Sequence, residues 1–154
     1  MNIHTRQMKI FKGYISSRKL SDGNYIAQKI QNMTIRNTCE RYNVKYELSG
    51  AEYIFNESYI MLQNIIDNAL KKTDGIIFYS ILQLPENTKR RNKILNKILN
   101  KKKEIIFSFE KLFIKSKKDL VEIDNYIHIL RAIKKCPKKN FINSSIKKFY
   151  EKNN

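Results

Sequence analysis

The chain has 154 residues and carries 31 lysines and arginines against 14 acidic residues, a formal net charge of +17 at pH 7. This length predicts one domain with an ordinary core, and no apolar run approaches the roughly 20 residues that span a bilayer. The first residues lack the features of a secretory signal. The two cysteines have no C-x-x-C spacing, which argues against a disulfide framework or a zinc site. We therefore expect a cytoplasmic protein.

The positive charge is concentrated in two places, a predicted helix and the end of the chain. The residues are Lys89, Arg90, Arg91, Lys93, Lys97, Lys101, Lys102 and Lys103 in the first, and Lys134, Lys135, Lys138, Lys139, Lys147, Lys148 and Lys152 in the second. A net charge of this size favours a polyanionic partner. However, lysine outnumbers arginine, whereas specific phosphate sites favour arginine. Solvated helix faces are the alternative interpretation.

The first half of the chain alternates short apolar runs with longer segments of helical period. Residues 8–15 predict a strand, and residues 25–42 predict a helix with an apolar face. Residues 44–48 predict a second strand with 49–53 as its exit, and 57–72 predict the next helix. This alternation is typical of β-α units and a parallel sheet.

The second half continues the alternation. Residues 75–79, "GIIFY", are apolar throughout, as expected of a strand covered on both faces. A helix over 87–102, a strand over 104–109 and a helix over 117–134 follow. We therefore predict a single three-layer α/β domain over residues 1–136, with a mostly parallel sheet of four to five strands flanked by helices. Residues 137–154 form a basic tail that is predicted to be helical in part.

Polar residues follow every predicted strand. In open parallel sheets, ligands bind beyond the carboxyl ends of the strands, so these exits predict a polar cleft. The exits contribute Ser16, Ser17 and Arg18; Ser49, Glu52 and Tyr53; Tyr79, Ser80, Gln83 and Glu86; and Ser108, Glu110 and Lys111. The alternative is that these residues only cap helices and close turns.

Two stretches resemble the catalytic domain of serine recombinases (resolvases). "GYISSRKLSDGNYIAQKIQNM" is similar to their first strand, serine-bearing loop and first helix, and "DGIIFYSILQLPEN" to their third strand and following turn. The resemblance implies a resolvase-like, flavodoxin-like fold. The residues that carry the recombinase chemistry differ, however. Where serine recombinases have Asp-Arg-Leu-Gly-Arg, this chain has Leu-Gln-Leu-Pro-Glu at 82–86, and where they have Arg-Val-Ser it has Ser-Ser-Arg at 16–18. Without those phosphate-gripping arginines, strand exchange is not expected.

Shorter stretches resemble the sporadic carbohydrate cluster protein family. They are "GYISSR", "AQKIQNMTIRNTC", "LSGAEY", "GIIFYSILQLPE" and "FSFEKL". The resemblance implies a role in capsular or lipopolysaccharide biosynthesis and a nucleotide-linked sugar as ligand.

The first functional hypothesis is a cofactor-independent isomerase or mutase acting on a sugar nucleotide. The sequence has no dinucleotide fingerprint, P-loop or metal cluster, so no cofactor is expected. Proton transfer would fall to Glu110, Glu52 or Tyr79, since a shielded carboxylate can have a raised pKa. The predicted substrate-binding residues are Ser16, Ser17, Arg18, Gln28, Asn32, Tyr53, Ser80 and Gln83. Nucleic acid is not an expected partner under this hypothesis.

The second hypothesis is a non-catalytic resolvase-like module that binds nucleic acid or a glycosyltransferase partner. The basic helix and the tail would be its contact surface. Aromatic residues are not interleaved with these charges along the chain, so the sequence does not predict a stacking platform for single strands. Under either hypothesis, the wide apolar coverage of the last predicted helix predicts a homo-oligomer, most simply a dimer.

Overall fold

The structure, a computed structural model, describes residues 7–136. The predicted basic tail, 137–154, lies outside the described residues. The elements are β1 (Ile10–Ser16), α1 (Gln28–Arg41), β2 (Lys45–Glu52), α2 (Ile60–Asp67), β3 (Gly75–Phe78), α3 (Thr88–Asn100), β4 (Glu104–Phe107), β5 (Leu112–Ile114) and α4 (Leu120–Lys135), with short 3₁₀ helices at Ala69–Lys71, Ile81–Gln83 and Lys117–Asp119. The five strands and the first three helices belong to one compact unit that ends at Asp119, and α4 opens a second unit.

The strands form one sheet in the order β2-β1-β3-β4-β5. The pairs β1-β2, β1-β3 and β3-β4 are parallel, while β5 runs antiparallel to β4. This arrangement confirms the predicted α/β fold with a mostly parallel sheet. The strand β5 was not distinguished along the chain, because three residues after a turn show no periodicity. Lys111, at φ 57°, provides the left-handed residue that turns the chain back.

The helices lie on both faces of the sheet. Across the sheet, β2 lies on one side of β1, whereas β3 and then β4 are added on its other side. Because parallel crossovers are right-handed, α1 covers one face, and α2 and α3 cover the opposite face. The core reflects this division. Phe11, Ile77 and Ile106 pack with Ile35 and Cys39 of α1 in one cluster.

On the opposite face, three aromatic rings run across the sheet. Tyr14 and Phe78 have ring centroids 5.3 Å apart, and Phe78 and Phe107 are also 5.3 Å apart. All three are fully buried, one from each of three adjacent strands. Since alternate residues of a strand point to opposite faces, this row and the α1 cluster are the two halves of the core.

The second strand is longer than its sequence predicts. Most of the predicted exit 49–53 continues β2, and its pairing with β1 resumes after a register shift between Lys12 and Tyr14. A Cβ at Gly13 would lie 2.1 Å from the Ser49 Oγ, so a larger residue here would displace the Ser49 side chain. The pattern "SGAEY" has weak strand propensity, and the edge pairing with β1 decides its conformation. Among residues 7–136, no helix is long and apolar enough to cross a membrane.

Candidate functional site

From β1 the chain adds β2 on one side of the sheet and then β3 on the other, so the connections after β1 and β3 lead to opposite faces. A crevice opens between the carboxyl ends of these two strands. This is where ligands bind in open α/β sheets. The loops after the two strands touch, since the Ser21 amide donates to the Leu82 carbonyl at 2.9 Å. The structure therefore brings together the first and third predicted exits.

Arg18, at the first exit, is buried among groups that it binds. Its guanidinium donates to the carbonyl oxygens of Ser58 and, at 3.0 Å, Gln83, and to the Tyr14 hydroxyl at 3.3 Å. It also lies 4.3 Å from the centroid of the Tyr59 ring. The side chain thus ties the β1 and β3 exits to the loop before α2.

Gln83, at the third exit, is 1 % exposed, and both polar atoms of its side chain are hydrogen-bonded. Its Oε1 accepts from the amides of Tyr79, at 2.8 Å, and Ser80, at 3.2 Å. Its Nε2 donates to the Oε1 of Gln31 at 2.9 Å. The amide group therefore fixes the turn after β3 and links it to α1.

Gln31 completes this link and was absent from the predicted site residues. Its Oε1 accepts from the Ser16 amide at 3.0 Å, and its Nε2 donates to the carbonyls of Ser16 and Ile26, both at 2.7 Å. A glutamine on the core-facing side of a predicted helix is the sequence signal that marks it, because a buried polar group needs partners.

Glu52, at the second exit, is 3 % exposed and its carboxylate accepts many hydrogen bonds. The donors are the amides of Tyr53, Met61 and Leu62 and the hydroxyls of Ser58 and Tyr14, at 3.0–3.3 Å. Burial alone would raise the pKa of this carboxyl, but the hydrogen bonds outweigh it and lower the pKa. Glu52 is therefore an ionised group that anchors the start of α2.

Glu110, after β4, meets the third exit in a second cluster. The Ser80 Oγ donates to its Oε1 at 2.6 Å, and the Ile81 amide lies 3.2 Å from both carboxylate oxygens. Burial raises the pKa of Glu110 in spite of these bonds. Burial also raises the pKa of the neighbouring Tyr79 hydroxyl, with the charges of Glu110 and Asp22 acting in the same direction.

The remaining predicted residues make contacts of their own. Gln28 donates to the Ser17 Oγ at 2.6 Å, and the Asn32 Oδ1 accepts from the Tyr46 hydroxyl at 3.1 Å. Tyr53 is half exposed. The Oγ of Ser16 is buried without a hydrogen-bond partner in the described part of the chain. A binding or catalytic role for any of these residues stays a prediction.

The exposed side of α3 forms a second candidate surface. Lys89, Lys93, Lys97 and Lys101 recur every four residues and are named here the lysine stripe. The sequence has no acidic residue between Glu86 and Glu104. Lys97 pairs with Asp67 of α2 at 2.9 Å. The other three lysines are exposed, and within residues 7–136 none of them has an ion-pair partner.

Two basic residues of the predicted surface turn inward. Arg91 is 2 % exposed and donates to the carbonyls of Pro85, at 3.3 Å, and Glu86, at 3.1 Å. Lys103 donates to the Thr73 carbonyl at 2.6 Å. Arg91 thus binds carbonyls just before α3, and Lys103 binds one just before β3. Over the described range, no three histidine, cysteine or acidic side chains are grouped as metal ligands.

Comparison with known proteins gives a result for the fold alone. The N-terminal catalytic domain of TP901-1 integrase is similar with a TM-score of 0.57 and 16 % sequence identity, over 80 % of this chain and 93 % of that one. A resolvase family site-specific recombinase from Streptococcus pneumoniae is similar with a TM-score of 0.58 and 8 % identity, over 92 % and 97 %. No family profile and no curated protein matches the sequence. The fold is resolvase-like.

These comparisons correct the first functional hypothesis. The prediction of a polysaccharide-biosynthesis protein acting on a nucleotide-linked sugar is wrong, because the solved structures that share the fold are recombinase and integrase domains. The expectation that nucleic acid is not a partner is wrong for the same reason. The resemblance to the sporadic carbohydrate cluster family finds no support in any comparison.

Proposed function

We propose that this protein is a non-catalytic, resolvase-like module that binds nucleic acid through the lysine stripe of α3. The observation that carries the proposal is the stripe itself, with two exposed lysines on α3 and a third at its C-cap, Lys101, on a helix that lacks acidic residues. At 1.5 Å per residue, the 12 steps from Lys89 to Lys101 extend over about 18 Å. Duplex DNA presents about one phosphate charge per 1.7 Å of axis, so such a stripe can neutralise several phosphates.

The first exit supports a role without catalysis. Arg18 stands where the resemblance to serine recombinases places their serine. Its guanidinium is occupied by the Gln83 carbonyl and the Tyr14 hydroxyl, and the side chain is 8 % exposed. Leu82 to Glu86 lack the arginines of the recombinase pattern, which would stabilise a phosphodiester transition state.

Salt dependence of binding tests the proposal. We expect the wild-type protein to bind a fluorescein-labelled DNA duplex, with log Kd rising linearly with log salt. The triple variant Lys89→Gln/Lys93→Gln/Lys101→Gln should bind more weakly and lower that slope by about three, because each lost phosphate contact removes about one unit. Fluorescence anisotropy over a salt series measures both quantities.

A matched control separates the stripe from net charge. Lys29, Arg41 and Lys45 are exposed on α1 and the edge strand β2, away from α3. Their triple glutamine variant removes the same charge and should change the slope by less than one. Equal loss in the two triple variants, or no duplex binding by the wild type at low salt, would refute the proposal.

A further inference from the structure

Two adjacent cavities lie beside the lysine stripe, between α3, α2 and the loop that precedes α2. One has a volume of about 400 Å³ and is lined by both helices, including Arg90, Lys93 and Lys97. The other has a volume of about 570 Å³ and is lined mainly by the loop. Tyr59, Gln63 and Arg90 line both. The two cavities therefore form one groove, named here the α2-α3 groove.

The groove combines an exposed aromatic ring with cations. Phe55 lines the larger cavity and is 68 % exposed, so the face of its ring is accessible to a ligand. The smaller cavity is lined by Arg90, Lys93 and Lys97. Arg90 pairs with Glu57 of the larger cavity, and Lys97 pairs with Asp67. Lys93 has no ion-pair partner within the described residues. Along the chain, Phe55 lies over 30 residues from these cations, so the fold brings together what the sequence keeps apart.

Tyr59 forms a fixed wall between the two cavities. The Arg18 guanidinium lies 4.3 Å from its ring centroid, and that of Arg90 lies 5.8 Å away. Burial raises the pKa of the Tyr59 hydroxyl despite the two arginines. Because cations already lie against this ring, Phe55 is the groove's exposed aromatic surface.

A groove of this composition fits an unpaired nucleotide. Proteins that bind single strands combine cations along the backbone with aromatic side chains on which bases stack. The face of a base is accessible to an aromatic ring only where the base is not stacked within a duplex. A cavity of several hundred Å³ is the usual size of a site for a small ligand.

We propose that the α2-α3 groove binds an unpaired nucleotide of a single-stranded nucleic acid, with the base stacked on Phe55 and a flanking phosphate held by Lys93. Arg90 and Lys97 would exchange their partners Glu57 and Asp67 for further phosphate oxygens. The proposal rests on the proposed function and makes it specific. The stripe then supplies the general attraction, and the groove supplies a preference for single strands.

The absence of tryptophan from the chain gives a direct test. Phe55→Trp introduces one tryptophan into the groove, which can be excited apart from the tyrosines, and retains an aromatic ring. Titration with a 12-nucleotide single-stranded DNA should quench its fluorescence saturably, while a duplex of the same sequence should quench it little. Phe109→Trp is the matched control, since Phe109 is also exposed but follows β4 and lines neither cavity. Its fluorescence should not respond to either probe.

A second variant measures the contribution of the ring to affinity. Phe55→Leu keeps an apolar side chain but removes stacking, and it should weaken single-strand binding about fivefold to a hundredfold. Duplex affinity and the salt slope should stay at the wild-type values. The same oligomer as RNA distinguishes the two kinds of single strand.

The outcomes separate this inference from the proposed function. If the triple variant of the stripe weakens binding but Phe55→Leu leaves single-strand affinity unchanged, the groove proposal is wrong and the proposed function stands. If neither strand type binds through the stripe, the proposed function itself fails.

Discussion

At the scale of single residues, environment gives two glutamates opposite properties. Glu52 is surrounded by amide and hydroxyl donors that lower its pKa against the effect of burial. Glu110 has fewer donors, so burial prevails and raises its pKa. Both were predicted as proton-transfer groups from their positions after strands. The structure shows Glu52 as an anchor for α2, while Glu110 joins β4 to the turn after β3.

The two carboxyls predict opposite pH dependences of stability. The stabilisation from Glu52 is present above pH 4.5, its ordinary pKa, and is lost as the pH falls through its lower folded pKa. That from Glu110 is present below pH 4.5 and is lost as the pH rises through its higher folded pKa. Glu52→Gln should therefore flatten the acid side of the melting-temperature profile, and Glu110→Gln should flatten the side above pH 4.5.

Melting temperatures by circular dichroism from pH 3 to 7 measure both effects, with the wild type as reference. Glu52→Gln should also melt lower at pH 7, because a glutamine NH₂ cannot accept from the amides that bind the carboxylate. Parallel profiles for all three proteins would contradict the prediction.

At the scale of elements, the central strand β3 packs closely against its neighbours at Gly75, which leaves no room for a side chain. A Cβ at this position would lie 2.2 Å from the Glu104 carbonyl oxygen and 2.5 Å from the Phe11 Cε1. Gly75→Ala must therefore move the backbone of β3 or β4. We expect it to lower the free energy of unfolding by about 1–3 kcal/mol, the usual range for overpacking, in urea denaturation.

Gly50→Ala is the control for this prediction. Its Cβ would meet the ends of side chains, namely Ile65 Cδ1 at 2.8 Å and Met61 Cγ at 3.1 Å, which can shift more easily than backbone. The loss should be smaller than at Gly75. A greater loss at Gly50 would show that strand spacing does not limit stability here.

At the scale of the whole molecule, we predict that the protein forms a dimer through α4. The helix has eight large apolar residues, Leu120, Val121, Ile123, Tyr126, Ile127, Ile129, Leu130 and Ile133. Ile129 and Ile133 are 57 % and 61 % exposed. Exposed apolar side chains grouped on one helix favour association.

Sedimentation velocity at micromolar concentration tests this prediction. The wild type should sediment as a dimer, and Ile129→Glu/Ile133→Glu should shift it to monomer. Leu48→Glu, at an exposed position of the edge strand β2, should leave the dimer intact. A monomeric wild type would show that the prediction is wrong.

The sequence by itself determined the fold class and the position of the polar exits. Apolar periodicity is a local property, so β1, β3 and the helices could be placed within a few residues. The extension of β2 and the strand β5 depended on pairing with neighbours, which a local pattern does not contain. Polar residues after strands such as Arg18 and Gln83 were likewise visible from their order in the chain.

Only the tertiary structure decided what those residues contact. Ser80 and Glu110 are 30 residues apart, and Gln31 and Gln83 are 52 apart, yet each pair is hydrogen-bonded. The groove beside α3 arises in the same way, because the sheet order places the loop carrying Phe55 next to a helix that has no aromatic residue. Composition fixes which charges and rings exist, whereas the packing of distant segments fixes which of them share a surface.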